Sequence, residues 1–147
     1  MKRSRVLCVF SFVIFSLVPC FAHHMAVVVN RDSNVAEVSS AHLAKIFMLE
    51  DKKWPGGKEI VLVLHTDSTG ETLTLQHVSG MSSRDIRSFV ASHRSSFTLV
   101  DSDEDVLRFV EATPGAIGFV DVRSINDQVR VLKVDGKLPM EGGYLPH

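Results

Sequence analysis

A layered α/β domain with a mixed or mainly parallel sheet is the fold class this sequence predicts, and three features point to it. Short β-branched runs alternate with segments of helical periodicity from Met25 to Val134. Clusters of Gly, Pro, Asn and Ser punctuate the changes between them. Residues 23–147 make a stretch of ordinary single-domain size, with no internal repeat and no low-complexity linker.

"MAVVVN" (Met25–Asn30) reads as a buried first strand, ended by the turn-forming "NRDSN". "SSAHLAKIF" then opens with capping serines and places Leu43, Ile46 and Phe47 on one helical face. Pro55, Gly56 and Gly57 turn the chain, and "EIVLVLHT" follows as a near-continuous apolar strand of the kind buried on both faces. After a polar turn, a helix is predicted from about Gly70 to Val78, closed by Gly80. Ser82 and Asp85 open a second helix as a capping-box variant, with Ile86, Phe89 and Val90 on its apolar face. "FTLV" is a short strand. In "DSDEDVLRFVEATPG", Ser102 can cap, and Asp103, Glu104 and Asp105 load the positive end of the helix dipole. Val106, Phe109 and Val110 of that helix point inward, and Pro114 and Gly115 end it. "AIGFVDV" and "VRVLKVDG" are two closing strands around the turn "RSIND", and the tail "KLPMEGGYLPH" is predicted to be irregular.

Residues 1–22 are read as a signal peptide: "MKRSR" is a basic start, an apolar run follows, and cleavage is expected after Ala22. Lipoprotein processing at Cys20, in "LVPC", is the alternative. Cys8 and Cys20 both lie in this leader, so residues 23–147 carry no thiol and must be held together by their core. Lys2, Arg3 and Arg5 take three of the 16 basic residues and none of the 17 acidic ones, leaving a net charge of about −4. Nothing there neutralises a phosphate backbone in bulk, so nucleic acid is not an expected partner. No second apolar run reaches membrane-spanning length. The expected location is periplasmic or secreted.

Several stretches together resemble one family: "LAKIFMLEDKKWPGGKEIVLV", the turn "HTDSTGET", and "VLRFVEATPGAIGFVDV" followed by "VRVLKVDG". Over about residues 26–136 the chain resembles short, single-domain relatives of the phosphate-binding proteins that serve ABC transporters. "PGAIGFV" is the most specific element. Gly115 suits a left-handed backbone after a helix, and Gly118 within a strand permits a close backbone approach. The resemblance implies a single periplasmic-binding-protein-like (PBP-like) lobe, a mixed sheet flanked by helices. It further implies a non-enzymatic exported module, without cofactor, that binds phosphate or a similar oxyanion and passes it to a membrane permease. In full-length members the anion sits between two lobes, and this chain resembles one lobe's worth.

The family's site has an arginine and an aspartate at a strand end, then a Ser-Gly-Thr turn. Here His65 stands near the arginine's position, Asp67 matches the aspartate, and Thr69, Gly70, Glu71 and Thr72 occupy the turn. Free amides at the helix start, beside the hydroxyls of Ser68, Thr69 and Thr72, direct partial positive charge at one spot, and Asp67 can accept the proton of a monohydrogen anion. Ligand-binding candidates are therefore His65, Asp67, Ser68, Thr69, Gly70 and Thr72. A plain capped helix is the competing reading. Ser68 and Glu71 fit an S-x-x-E box in which the glutamate returns to the amide of Ser68 and consumes donors an anion needs. Any additional cation must come from elsewhere, with Arg31, Arg84 and Arg94 the candidates. If the ligand is lost, the scaffold becomes a protein-interaction module of the cell envelope.

Other chemistries are weaker. His23, His24 and Met25 could offer copper an amino-terminal set, but no further ligand announces itself. His42, His65, His77 and His93 lack close metal-ligand spacing. A hydrolase triad drawn from Ser68, His65 and Asp67 uses near neighbours and lacks a nucleophile elbow. Trp54 is either an interface anchor or a cover for the edge of its own core.

Overall fold

In the computed structural model, Met25–Asn30 forms strand β1, buried along its whole length between two other strands. Residues 24–145 are described. The predicted leader with its cleavage site, and His23 of the amino-terminal copper set, lie outside them. The other elements are β2 (Glu37–Val38), α1 (Ser40–Phe47), β3 (Val61–His65), α2 (Thr69–Ser79), α3 (Ser83–Ser92), β4 (Phe97–Val100), α4 (Asp103–Ala112), β5 (Ala116–Asp121), β6 (Val129–Val131) and β7 (Lys133–Val134).

The main sheet has the order β4-β3-β5-β1-β6. β3 runs parallel to both β4 and β5, whereas β1 is antiparallel to β5 and β6. Alternation along β1 divides the core, because successive side chains leave opposite faces. Val27 and Val29 join Leu43, Ile46 and Phe47 of α1, Leu75 of α2 and Ile86 of α3 on one face. Val28 joins Val106, Leu107 and Val110 of α4 on the other. The architecture is thus a mixed five-stranded sheet with helices on both sides. No helix among the described residues is long and apolar enough to cross a membrane.

The helices start where the caps predict. Ser39, Ser68, Ser82 and Ser102 each accept a backbone N–H three residues on. Gly80 takes the left-handed cap of α2, with φ 71°. Gly115 also has a left-handed backbone, φ 84°, and a Cβ there would run into the Glu59 carbonyl. The same Gly115 carbonyl accepts the Trp54 indole N–H at 3.0 Å, so Trp54, 5% exposed, closes its own core rather than standing as an interface anchor. Gly118 permits close approach chiefly of side chains: an added Cβ would lie 2.8 Å from Val63 Cγ1 and 2.9 Å from Val106 Cγ1.

Three details depart from expectation. "VRVLKVDG" is not one strand: it divides at Leu132 into β6 of the main sheet and β7, which pairs parallel with β2 in a separate two-stranded sheet. At two residues, β2 is too short to leave a periodic signature and exists through its pairing with β7. On α4, Leu107 is fully packed while Phe109 is only partly buried. The tail is irregular, as expected, yet the last two of its described residues, Tyr144 and Leu145, are buried.

Tyr144 explains the division at Leu132. Its hydroxyl accepts the Val27 N–H at 3.1 Å and donates to the Leu132 carbonyl at 2.7 Å, bridging the β1–β6 ladder where β6 leaves the sheet. Burial pushes its ionisation up to about 12, so it stays a neutral donor and acceptor. Tyr144→Phe strands a buried amide and carbonyl, and a loss of about 1–3 kcal/mol is expected from denaturant unfolding. A change within experimental error would show that the bridge does not hold the tail.

Candidate functional site

Parallel pairing brings the carboxyl ends of β3, β4 and β5 to one edge of the sheet, the edge where open α/β sheets place their ligands. α2 begins four residues after β3, and α4 begins three residues after β4. Two helix amino termini, each with a partial positive charge, therefore meet at that edge.

The turn from β3 into α2 is made by side chains that occupy backbone groups. Thr66 Oγ1 donates to the Val100 carbonyl at 3.0 Å and to Asp101 Oδ1 at 3.1 Å. Asp67 takes a left-handed backbone, φ 63°, which a short polar side chain tolerates. Ser68 is the cap: its Oγ accepts the Glu71 N–H at 3.2 Å, and its carbonyl accepts the Thr72 N–H at 3.0 Å and the Thr72 hydroxyl at 2.9 Å. The Ser68 N–H itself donates to the His65 carbonyl at 3.3 Å. The amides of Thr69 and Gly70 have no acceptor among the described residues, as the first turn of a helix dictates.

Glu71 corrects the expected capping box. Only half of it forms, because the Ser68 amide is already spent on His65. The Glu71 carboxyl instead accepts the His65 N–H at 3.1 Å and is 3% exposed. Burial pushes its pKa well above the usual carboxylate range; the His65 hydrogen bond opposes this and the nearby Asp103 adds to it. Glu71 thus turns away from the helix start and does not occupy the Thr69 and Gly70 donors.

A second polar cluster was not foreseen. His65 Nδ1 meets Asp103 Oδ1 at 2.9 Å. Asp103 Oδ2 accepts the Asp121 N–H and the Ser124 hydroxyl, each at 2.9 Å. Arg123 closes the edge with a two-point pair to Asp121, Nε to Oδ1 at 2.9 Å and Nη2 to Oδ2 at 2.8 Å. In sequence Asp103 has only the signature of a helix-end charge, and its separation of 38 residues from His65 leaves no local signal. Arg123 carries no motif either. It becomes visible only once β5 is known to end beside β3.

These groups line a cavity of about 460 Å³ that also includes Ser68, Thr69 and Gly70. On the other side of the α2 start, a groove of about 670 Å³ runs between α2 and α3, where Leu75, Ile86, Val90 and Leu99 give it an apolar floor and Arg87 and Arg94 are among its polar lining. The predicted site residues divide between the two. Ser68 and Gly70 face the smaller cavity, Asp67 and Thr72 the groove, and His65 and Thr69 line both. Of the three candidate cations, Arg94 reaches the groove. Arg31 sits beyond the other end of β1, donating to the Asp127 carbonyl, and Arg84 lines neither space. The Ser68–His65–Asp67 triad is not assembled, since the carboxylate partner of His65 is Asp103.

No family model matches the chain. It is similar to the phosphate-binding protein PstS of Bacillus subtilis (strain 168), 32% identical over 120 residues that make up 78% of this chain and 37% of the relative. Among solved structures, it is similar to an ABC-type phosphate transport receptor from Vibrio cholerae, at 17% identity and a TM-score of 0.65, over 79% of this chain and 48% of that one. PstS from Borrelia burgdorferi is matched at 19% identity and a TM-score of 0.63, over 79% and 49%. At these identities the structural likeness establishes the PBP-like fold. The chain spans between 37% and 49% of the length of these relatives.

The raised Glu71 pKa has a consequence for stability. The folded chain binds the Glu71 proton more tightly than the unfolded chain does. Its contribution is therefore complete below the unfolded carboxylate value of about 4.3 and is lost as pH rises through the folded value. Denaturant unfolding of Glu71→Gln, followed from about pH 4.5 to 8, should show a shallower loss of stability towards alkaline pH than the parent chain. Parallel curves would remove Glu71 as the source.

Proposed function

We propose that this chain, a partial relative of the phosphate ABC-transporter substrate-binding proteins, is an exported, non-enzymatic binding module for phosphate or a similar oxyanion. The observation that carries this reading is the start of α2. Two amides, of Thr69 and Gly70, are without acceptors among the described residues at the positive end of a helix, with the Ser68 and Thr69 side chains beside them and the cavity of about 460 Å³ in front. Glu71 supports it, because its carboxyl turns to the His65 N–H rather than to the helix start and burial pushes its pKa upward. The Bacillus subtilis relative binds phosphate by name, and the Vibrio cholerae structure is by name an ABC-type phosphate transport receptor. In this reading Ser68, Thr69 and Gly70 hold the anion from the helix, His65 approaches from the strand end, and Asp67 and Thr72 face the groove side. A permease of the ABC type is the expected recipient in the envelope.

The reading is tested by thermal unfolding at about pH 6 with phosphate or sulfate against chloride at matched ionic strength. Oxyanion at about 100 times its dissociation constant stabilises the folded state by about 2.7 kcal/mol, so the midpoint should rise by several degrees with an oxyanion and not with chloride. Thr69→Pro supplies the control. Proline suits the first helical position, and Ser68, with φ −72° and ψ 115°, already has the extended backbone a following proline requires. This change deletes the Thr69 N–H and hydroxyl while keeping the helix, and it should abolish the oxyanion shift. An unaltered shift in Thr69→Pro would move the site away from α2.

A further inference from the structure

We propose that His65, positioned by Asp103, is the cation of the oxyanion site, and that anion binding loads a proton onto its ring. This lobe would then capture oxyanion at mildly acidic pH and release it as pH rises. The inference rests on the oxyanion reading above and adds how the site is charged and regulated.

The argument begins with the ring's hydrogen bonding. His65 lines the cavity, and its Nδ1 is committed to the Asp103 carboxylate at 2.9 Å. A carboxylate only accepts, so Nδ1 carries the hydrogen. In the neutral ring that leaves Nε2 with a lone pair and no proton, and Nε2 makes no hydrogen bond among the described residues. A bare nitrogen lone pair repels the oxygen of an unprotonated oxyanion. One proton turns Nε2 into a charged donor, while Nδ1–H stays on Asp103.

The charges around the cavity lead to the same conclusion. Asp103 and Asp121 bring two carboxylates, and Arg123 brings one cation that is paired at two points with Asp121. Among the described residues, a neutral imidazole leaves the lining negative by one charge, which opposes an incoming anion. With an imidazolium it is balanced, and the donors at the start of α2 decide the outcome. The remaining neighbours do not alter this. Behind the His65 backbone, Glu71 is held towards its neutral form by burial. Asp67 is exposed and faces the groove, and Asp101 accepts from Thr66. Asp103 meanwhile accepts from the Asp121 N–H and the Ser124 hydroxyl as well as from His65, so it can hold an imidazolium without rearranging.

Calorimetric titration of the chain with sulfate and with phosphate, between about pH 5.5 and 8 and in buffers of different ionisation enthalpy, tests the idea. Sulfate is the decisive probe because it does not itself titrate in that range. The expected result is an affinity for sulfate that falls by up to about tenfold per pH unit over the upper part of the range, with an uptake approaching one proton per bound anion. His65→Arg supplies a fixed cation and should bind with a flat pH profile and no uptake. His65→Gln should not bind, while its circular dichroism and unfolding cooperativity report that it folds. A pH-independent sulfate affinity without proton uptake in the parent chain would overturn the inference and leave the oxyanion reading standing. Binding by His65→Arg alone would do the same. No binding of either anion, at any pH, by the parent chain or by His65→Arg would overturn both.

Discussion

Asp103 is the first residue of α4, and its carboxylate reaches three groups that no local stretch of chain would bring together. One oxygen takes the His65 ring at the end of β3; the other takes the backbone of Asp121 at the end of β5 and the Ser124 hydroxyl just beyond it. β3 and β5 are neighbours in the sheet, and α4 packs across them. A carboxylate at a helix amino terminus is favoured by the helix dipole, so this placement is supported by the helix that carries it. The carboxyl edge of the sheet is tied through this one side chain, and the orientation of the His65 ring follows from it.

The electrostatics of that edge are set by which groups are buried. Glu71 and Asp103 are both first-turn acids of their helices, yet they play opposite parts. Glu71 is sealed under α2, receives one hydrogen bond and is driven towards the neutral acid. Asp103 receives three, one of them from an imidazole that can itself carry charge. Arg123, exposed at the rim, is engaged by Asp121. Among the described residues the edge therefore holds few fixed charges outside a pair, and what it presents is the backbone donors of α2 and the His65 ring.

Local chemistry made much of the fold legible. Serines at four helix starts, Gly80 and Gly115 at helix ends, and the apolar runs of β1, β3 and β5 all carry their signals within a few residues. What stayed hidden depends on distant pairing. β2 exists only because β7 lies beside it, and the division of the last apolar run at Leu132 depends on Tyr144, 12 residues away. The site divides along the same line. Ser68, Thr69 and Gly70 could be placed at a helix start from sequence, but S-x-x-E was equally consistent with a closed capping box. The competition for the Ser68 amide, won by the His65 carbonyl, is visible only in three dimensions. His65 with Asp103, and Arg123 with Asp121, needed the sheet order before they could be recognised as one cluster.

The link between core and site runs through Gly118. A side chain there would meet Val63 of β3 and Val106 of α4, so the bare glycine sets how closely the first turn of α4 lies on the sheet. Val106 is three residues after Asp103, on the same helical face. Its depth in the core fixes how far the Asp103 carboxylate extends over the sheet edge. A few tenths of an ångström matter there, because the contacts of Asp103 with His65 and Ser124 are already at normal hydrogen-bond length and cannot stretch far without being lost. The "PGAIGFV" stretch that carries the family resemblance therefore acts twice. Gly115 turns the chain out of α4, and Gly118 seats α4 so that its first carboxylate meets the ring at the end of β3. Packing on the far side of the sheet and the geometry of its carboxyl edge are in this way one constraint, transmitted through a single helical turn.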